Sequence, residues 1–342
     1  MTENNIEAHL LNMEQYELAP NLKICRVLNG MWQVAGGHGP IDPKVAVEEM
    51  VKYHNTGFTS WDLADIYGPA EDFIGAFRNR LPEEERENVQ ALTKWVPEPQ
   101  RITRQIARAS IERSLKSMGL RSLDLVQFHW WDYNNPYYID ALKYLSSLRD
   151  EEKIIKNVGL TNFDTERMQI MNDASLIIIS NQVQYSIVDR RPEVKMIHFC
   201  RENNISLLTY GTVCGGLLSE RYLGKSEPRP YELDTPSLRK YKRMIDSWGG
   251  WELFQELLRI LNQIAQRHGV SIANVATRYV LDKPAVAGVI IGARLGITDH
   301  RDDNLRVFKF GLDRDDINNI EEVCKKSNDL FEIIGDCGDE YR

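Results

Sequence analysis

The chain has 342 residues, with 50 acidic against 42 basic side chains and a formal net charge of −8. Apolar residues make up 42% and charged residues 27%, a balance typical of a globular protein with a sizeable core and not of a disordered or fibrous chain. An acidic chain without a basic stripe is a poor general nucleic-acid binder, since phosphate contacts need clustered Lys and Arg. We therefore expect no nucleic-acid partner.

Cysteine spacing and the N-terminal sequence indicate the cellular compartment. The five cysteines are scattered, without a Cys-x-x-Cys pair or a Cys/His spacing that would hold a metal. They are expected to be reduced thiols, and no metal site is predicted. The N-terminal stretch has early acidic residues and resembles neither a secretory signal nor a transit peptide. Since no apolar run approaches the roughly 20 residues that span a bilayer, a cytoplasmic protein without a membrane partner is predicted.

Short apolar runs alternate with amphipathic segments along the chain. Runs that are apolar throughout, such as LDLVQF and AGVIIG, are typical of parallel strands covered by helices on both faces. About eight strand-then-helix units predict an α/β fold, a closed (β/α)8 TIM barrel, which typically takes about 250 residues. The predicted strands are Cys25–Trp32, Phe58–Ala64, Val89–Trp95, Leu123–Trp130, Lys156–Asn162, Ile177–Gln182, Ser206–Tyr210 and Val286–Ala293.

The residues beyond a minimal barrel are expected in three places. The segment YELAPNLKICRV predicts an N-terminal hairpin with a turn at Pro20-Asn21. A polar stretch at about Ser219–Gly250 predicts a long loop insertion in the seventh unit, and such loops are usually functional or mobile. The acidic end IIGDCGDEYR predicts a C-terminal tail that folds back over the barrel mouth. Residues 1–342 then form a single domain with a core at about 23–328.

A doubly wound open sheet is the alternative fold. It would bind a dinucleotide through a glycine-rich turn after the first strand. No G-x-G-x-x-G follows the first predicted strand, so the closed barrel is favoured.

Ionisable residues end three consecutive predicted strands. In a TIM barrel the chemistry belongs to the C-terminal strand ends and the loops after them, and Asp62, Lys94 and His129 fall there. A charge or imidazole at the end of an apolar strand needs a partner to offset its desolvation. Each residue alone has an ordinary structural explanation, such as a helix cap or a core histidine. Three at the same end of neighbouring strands indicate a catalytic site.

These residues favour acid catalysis by a phenol. The segment QFHWWD supplies one histidine where a metal-dependent barrel hydrolase usually has two, and Ser/His/Asp catalysis lacks a G-x-S-x-G elbow. Tyr67 carries a phenol, which is ordinarily protonated at neutral pH. A Lys94 ammonium held by Asp62 would stabilise the phenolate and ease proton transfer, while His129 would orient a carbonyl oxygen.

The same residues resemble the aldo-keto reductase family. The segment GFTSWDLADIYG is similar to the family's Asp-Thr-Ala-x-x-Tyr-Gly signature, with Leu63 in place of the usual threonine. Lys94 in LTKW and His129 in QFHW fall where the family keeps its lysine and histidine, and the similarity runs from about residue 26 to 323. The resemblance implies NADPH-dependent reduction of an aldehyde or ketone, a small-molecule carbonyl substrate, and a catalytic tetrad of Asp62, Tyr67, Lys94 and His129.

The resemblance also implies NADPH, with NADH less favoured, bound in extended form across the barrel mouth. GLTNF is similar to the family's Gly-x-Ser-Asn-Phe and NQVQY to its Asn-Gln-x-x-Tyr, segments that hold the nicotinamide carboxamide. YGTVCGGLL resembles Tyr-Ser-Pro-Leu-x-x-Gly-Leu-Leu, in which the tyrosine stacks on the nicotinamide and the following backbone meets the pyrophosphate. The implied cofactor residues are Thr161, Asn162, Gln182, Tyr210, Gly211, Thr212 and Val213.

Near the C-terminus, Gly-Ala-Arg and Asp-Asn segments resemble the family's adenosine site and add Arg294, His300, Asp303 and Asn304. An arginine offers a bidentate match to the 2′-phosphate that distinguishes NADPH from NADH. Arg294, helped by His300 or Arg301, is therefore expected to favour NADPH.

Tryptophans near the strand ends are expected to surround the substrate, because flat apolar walls around a few polar groups are typical of ligand sites. The predicted pocket residues are Trp32, Trp95, Trp130 and Trp131. Two other functions stay open on the sequence. One is a cofactor-binding regulatory subunit, as similar barrels serve for ion channels, and the other is an NAD-linked sugar or alcohol dehydrogenase.

Overall fold

The computed structural model of the protein describes residues 13–337 and begins with the predicted hairpin. Strands β1 (Gln15–Ala19) and β2 (Leu22–Cys25) pair antiparallel around a turn at Pro20-Asn21. Three hairpin side chains, Leu18, Leu22 and Ile24, are buried against apolar side chains from inside the barrel. These partners include Leu92 and Leu125, which lie toward the N-terminal ends of their strands, so the hairpin covers that end of the barrel.

Eight parallel strands close into a barrel, which confirms the predicted fold. The strand order is β10-β3-β4-β5-β6-β7-β8-β9, and β10 pairs with both β9 and β3. All of the predicted strands are present, with ends shifted by a few residues. The strands are β3 (Val27–Gly30), β4 (Ser60–Asp62), β5 (Gln90–Trp95), β6 (Leu125–His129), β7 (Val158–Thr161), β8 (Ser180–Gln184), β9 (Ser206–Tyr210) and β10 (Val286–Gly292).

Helices follow the strands, and many begin at a residue whose side chain accepts from the first-turn amides. Asp42, Thr103 and Ser271 cap their helices in this way. Among residues 13–337, no helix is both long and apolar enough to cross a bilayer. The α-helices are α1 (Pro43–Asn55), α2 (Ala70–Arg78), α3 (Arg104–Met118), α4 (Tyr138–Asp150), α5 (Thr165–Asp173), α6 (Met196–Glu202), α7 (Pro236–Trp248), α8 (Gly250–His268), α9 (Ile272–Leu281), α10 (Arg301–Arg306), α11 (Arg314–Cys324) and α12 (Leu330–Ile334).

The insertion after β9 differs from the predicted loop because it contains helix α7. The Thr235 side chain accepts from the Leu238 amide and Pro236 occupies the first turn, which together start the helix. Leu238, Tyr241 and Trp248 recur on one face and are buried. The insertion is thus anchored to the barrel and partly regular.

The start of the C-terminal tail folds back on the barrel mouth, as predicted. Helix α12 takes up Leu330–Ile334, and beyond it the Asp336 carboxylate accepts from the Thr165 amide at 2.7 Å. The Cys337 thiol donates to the Phe163 carbonyl at 3.4 Å. Both partners lie just after β7. The rest of the predicted tail, 338–342, lies outside the described residues.

Candidate active site

The carboxyl ends of the barrel strands open into a cavity of about 270 Å³. The last residues of β4, β6 and β9 are Asp62, His129 and Tyr210, so their side chains meet there although they are far apart in sequence. Thirteen of the residues predicted from the sequence line this cavity: Trp32, Asp62, Tyr67, Lys94, His129, Trp131, Thr161, Asn162, Gln182, Tyr210, Gly211, Thr212 and Val213.

Lys94 and Asp62 form a buried ion pair on the cavity wall. The Lys94 Nζ donates to Asp62 Oδ2 at 2.6 Å and to the Leu63 carbonyl at 3.0 Å. Burial lowers the pKa of the Lys94 ammonium from its ordinary value, and the Asp62 carboxylate opposes that shift. The same Nζ lies 5.0 Å from the centre of the Tyr67 ring. The ammonium is therefore held next to the phenol by a carboxylate behind it.

Two glutamine amides complete the surroundings of Asp62. Gln127 and Gln182 donate from their Nε2 atoms to Asp62 Oδ1 at 3.0 and 2.6 Å. Gln182 Nε2 also donates to Gln127 Oε1 at 2.7 Å. Gln127 was not among the predicted site residues. Gln127 lies two residues before His129 on β6, and residues two apart on a strand point to the same side. This spacing could have predicted that Gln127 faces the inside of the barrel.

The wall of the cavity around His129 combines an aromatic ring with aliphatic side chains. The His129 imidazole stacks on Trp131, with centroids 4.9 Å apart and an interplanar angle of 26°. Ile66 and Val96 also line the cavity, and Ile66 is 51% exposed at its rim. One side of the site is therefore apolar while Tyr67 and His129 supply polar groups.

Polar groups at the ends of β7 and β9 form a second part of the cavity. The Thr161 Oγ1 is buried with no hydrogen-bond partner among residues 13–337. Asn162 has a left-handed backbone, at φ +56°, and its Oδ1 accepts from the Tyr210 hydroxyl at 2.8 Å. The Asn162 carbonyl accepts from the Tyr133 hydroxyl at 2.6 Å. Asn162 and Tyr210 are thus fixed relative to each other, next to a hydroxyl that is suited to a ligand.

The loop after β9 is shaped by positive backbone φ angles. Gly211 has φ +75° and Gly215 has φ +65°, while Cys214 between them has φ +49°. A Cβ on Gly211 would lie 2.5 Å from the Tyr241 hydroxyl, so a glycine is needed for this close approach. Turns of this kind make concave backbone surfaces suited to anions.

Helix α7 lies against this loop and connects it to the loop after β3. Ser237 and Tyr241 line the cavity, and the Lys240 Nζ lies 4.9 Å from the centre of the Tyr210 ring. The Ser237 hydroxyl is 2.9 Å from Nε2 of His38, which is buried and packs on Trp32. Burial, and then the charge of Arg294, lower the pKa of His38. None of the α7 residues was predicted as a site residue.

The residues predicted for adenosine lie outside the cavity wall. Arg294 is half-buried and donates to the His38 carbonyl at 3.2 Å, and its Nε is buried without a partner among the described residues. Asp303 accepts from the Ser271 hydroxyl at 2.9 Å, in the same short stretch as His300 and Asn304. Arg301, the proposed helper of Arg294, is instead engaged by the Asp299 carboxylate at 2.9 Å.

Two of the four predicted pocket tryptophans do not line the cavity. Trp95 and Trp130 are 2% and 0% exposed and pack on Phe128 at 5.5 and 5.9 Å between ring centres. Each directly follows a cavity residue, Lys94 or His129. Because successive strand side chains point to opposite faces, the tryptophans point outward, toward the helices.

Two further carboxylates, Asp65 and Glu71, lie close to Lys94. Asp65 accepts from the Val96 amide at 3.2 Å, and Glu71 accepts from the Thr93 hydroxyl at 2.6 Å. Burial, and then the nearby Glu71, raise the pKa of Asp65 to about 7. Burial also raises the pKa of Glu71. Asp65 in turn favours the charged form of Lys94.

Comparisons with known proteins agree with this architecture. The sequence profile of the Aldo/keto reductase family matches residues 26–325. Aldo-keto reductase YhdN of Bacillus subtilis is 27% identical over 284 residues, covering 80% of this chain and 82% of YhdN. The NADH-specific methylglyoxal reductase of Escherichia coli is 23% identical over 303 residues, covering 80% of this chain and 87% of that protein.

A solved structure shows the same fold. The glycerol dehydrogenase AKR11B4 from Gluconobacter oxydans superposes with a TM-score of 0.75 at 20% identity. The match covers 94% of this chain and 96% of that one.

Proposed function

Since the chain belongs to the aldo-keto reductase family, a family of oxidoreductases, we propose that it reduces an aldehyde or ketone to an alcohol with NADPH. The observation that carries the proposal is the meeting of Asp62, Tyr67, Lys94 and His129 on one cavity. In this reaction a hydride reaches the carbonyl carbon, a proton reaches its oxygen, and NADPH becomes NADP+.

Tyr67 is the proposed proton donor. The Lys94 ammonium, 5.0 Å from the Tyr67 ring centre, stabilises the phenolate that remains after the proton has left. Asp62 keeps the ammonium in place through the 2.6 Å contact. His129 donates a hydrogen bond that directs the carbonyl oxygen toward Tyr67, and Trp131 fixes the imidazole by stacking.

The side chains that line the cavity fit a nicotinamide cofactor, which supplies the hydride when it is bound. The buried Thr161 hydroxyl, unpartnered within residues 13–337, suits the carboxamide together with Gln182 and Asn162. The concave turn that starts at Gly211 suits the pyrophosphate, and Tyr210 suits the nicotinamide face. The full proposed set is Thr161, Asn162, Gln182, Tyr210, Gly211, Thr212, Val213, Arg294, His300, Asp303 and Asn304.

NADPH is proposed over NADH because Arg294 provides a cation beside the mouth of the cavity. Its Nε has no partner among the described residues, and a guanidinium suits the 2′-phosphate. The substrate is proposed to lie against the apolar wall of Trp32 and Trp131, beside Ile66 and Val96.

A turnover assay tests the proposed reaction. The 342-residue protein is mixed with NADPH and a panel of aldehydes and ketones, and the loss of NADPH absorbance is followed while alcohol formation is measured. The proposal predicts stoichiometric formation of alcohol and NADP+ with at least one member of the panel. Tight NADPH binding without turnover of any carbonyl would contradict it and would favour a regulatory subunit.

A further inference from the structure

Gln127 lies inside the barrel, directly beneath the cavity, and its side chain is 0% exposed. It belongs to β6 and alternates with Leu125 below it and His129 above it. Its amide is the innermost member of a buried network with Asp62 and Gln182. A buried polar group of this kind must be satisfied by its neighbours, and these neighbours determine which way each amide faces.

The orientation of the Gln127 amide is determined by its acceptors. Its Nε2 donates to Asp62 Oδ1 at 3.0 Å and to the Leu92 carbonyl at 3.2 Å. A backbone carbonyl and an ionised carboxylate both act only as hydrogen-bond acceptors. The nitrogen of Gln127 must therefore face them. Its Oε1 is thereby turned to Gln182.

The orientation of the Gln182 amide is determined in the same way, by its acceptors. Its Nε2 carries two hydrogens, and it has two acceptors, Asp62 Oδ1 at 2.6 Å and Gln127 Oε1 at 2.7 Å. Both N–H groups are therefore used inside the protein. What Gln182 offers to a molecule in the cavity is its Oε1, which is an acceptor.

We infer that Gln127 is a positioning residue that makes Gln182 an acceptor-only group, and that the cavity thereby selects nicotinamide over nicotinic acid dinucleotides. The inference rests on the proposed cofactor. A carboxamide N–H₂ group can donate to Gln182 Oε1. The carboxylate of a nicotinic acid dinucleotide has no proton to donate and is repelled by the partial negative charge of that oxygen. Gln127 contributes without touching the cofactor.

Binding measurements on the wild-type protein provide the first test. Titration calorimetry compares the binding of NADP+ with that of nicotinic acid adenine dinucleotide phosphate, which carries a carboxylate in place of the carboxamide. NADP+ is expected to bind at least about tenfold more tightly, as for a lost hydrogen bond at a buried site. Equal affinities would overturn this inference and leave the proposed function standing. Failure to bind NADP+ at all would overturn the proposed function as well.

Gln127→Met provides the second test, with Leu125→Met as its matched control on the same face of β6. Methionine has a similar volume, but its thioether is only a weak acceptor, so one N–H of Gln182 loses its strong partner and becomes available to a ligand. The preference for NADP+ is expected to shrink by about threefold or more in Gln127→Met, and Leu125→Met should keep the wild-type ratio. A wild-type ratio in a folded Gln127→Met protein, verified by its thermal unfolding, would overturn the inference.

Discussion

The balance between burial and pairing decides the state of single side chains around the cavity. Lys94 is buried, which lowers the pKa of its ammonium, and the Asp62 carboxylate at 2.6 Å opposes that shift. For Asp65, burial and then the nearby Glu71 raise the pKa to about 7. Lys94 and Asp65 thus differ because an opposite charge contacts Lys94, whereas a like charge lies near Asp65.

Asp65 is expected to make the stability of the protein depend on pH. Its pKa is raised from the ordinary 3.8 to about 7, so between these values the unfolded chain loses a proton that the folded chain keeps. The contribution of protonated Asp65 to the unfolding free energy is fully present below about pH 4 and disappears as the pH rises through about 7. In Asp65→Asn the fall in unfolding free energy over this window should be smaller than in the wild type. Urea unfolding at several pH values measures it.

Asp72→Asn is the control for Asp65→Asn, because Asp72 is an exposed carboxylate on the adjacent helix α2. It should show the wild-type slope against pH. An unchanged slope in Asp65→Asn would show that Asp65 ionises normally in the fold.

Arg294 is expected to set the preference between cofactors. Replacing it with alanine removes the cation proposed for the 2′-phosphate, and NADPH affinity should fall about tenfold or more with little effect on NADH. Fluorescence titration of both cofactors measures the ratio. Arg301→Ala is the matched control, since its guanidinium is held by Asp299. A preference for NADPH that survives Arg294→Ala would show that another residue reads the phosphate.

Only some of the residues around the cavity could be predicted from the sequence. Asp62, Lys94 and His129 were predictable because a charge at the end of an apolar strand is conspicuous. Trp95 and Trp130 were misplaced because the alternation of strand side chains was not applied to them. Gln127 was missed because a glutamine within an apolar strand has no recognisable motif, and its partners Asp62 and Gln182 come from other strands.

Helix α7 determines the shape of the proposed cofactor side of the cavity. Its Ser237 contacts His38, and its Tyr241 fits against Gly211. The strands were predictable from continuous apolar runs, whereas α7 was hidden in a stretch rich in prolines and charges. Its apolar positions, Leu238, Tyr241, Ile245 and Trp248, repeat at helical spacing, which was the unused signal.

The cap of α7 offers a test of this element. Thr235→Ala removes the side-chain acceptor of the Leu238 amide, which lies 3.2 Å from its Oγ1. The expected cost is about 1 kcal/mol of unfolding free energy. Hydrogen exchange of the first turn of α7 should also become faster. Thr235→Ser retains the acceptor and should behave like the wild type, so equal losses in both variants would exclude the cap as the cause.

The barrel places the stabilising hairpin contact and the proposed catalytic cavity at opposite ends of the molecule. The hairpin packs on one end and the cavity opens at the other. This separation follows from the closed parallel barrel, in which all carboxyl strand ends lie together. The barrel and hairpin were predictable because each strand carries its own local signal. The meeting of distant loops over the cavity depends on tertiary contacts that local patterns do not contain.

Ile24→Ala tests this separation. Ile24 is 1% exposed inside the hairpin contact, so its truncation should cost about 3 kcal/mol of unfolding free energy. The kcat/KM for the carbonyl substrate should stay within about twofold at a temperature where the variant is folded. Lys23→Ala, on the exposed face of the same strand, should change neither. A large loss of kcat/KM in the folded Ile24→Ala protein would contradict the separation.

Tyr67 is proposed to supply the proton in a carbonyl reduction driven by NADPH. The most direct measurement is kcat for an accepted carbonyl in the wild type and in Tyr67→Phe, with NADPH affinity measured on both proteins. Loss of the hydroxyl should lower kcat by about 100-fold or more, the usual contribution of a positioned acid, while NADPH affinity stays within about twofold. A Tyr67→Phe protein that reduces the carbonyl at the wild-type rate would contradict the claim.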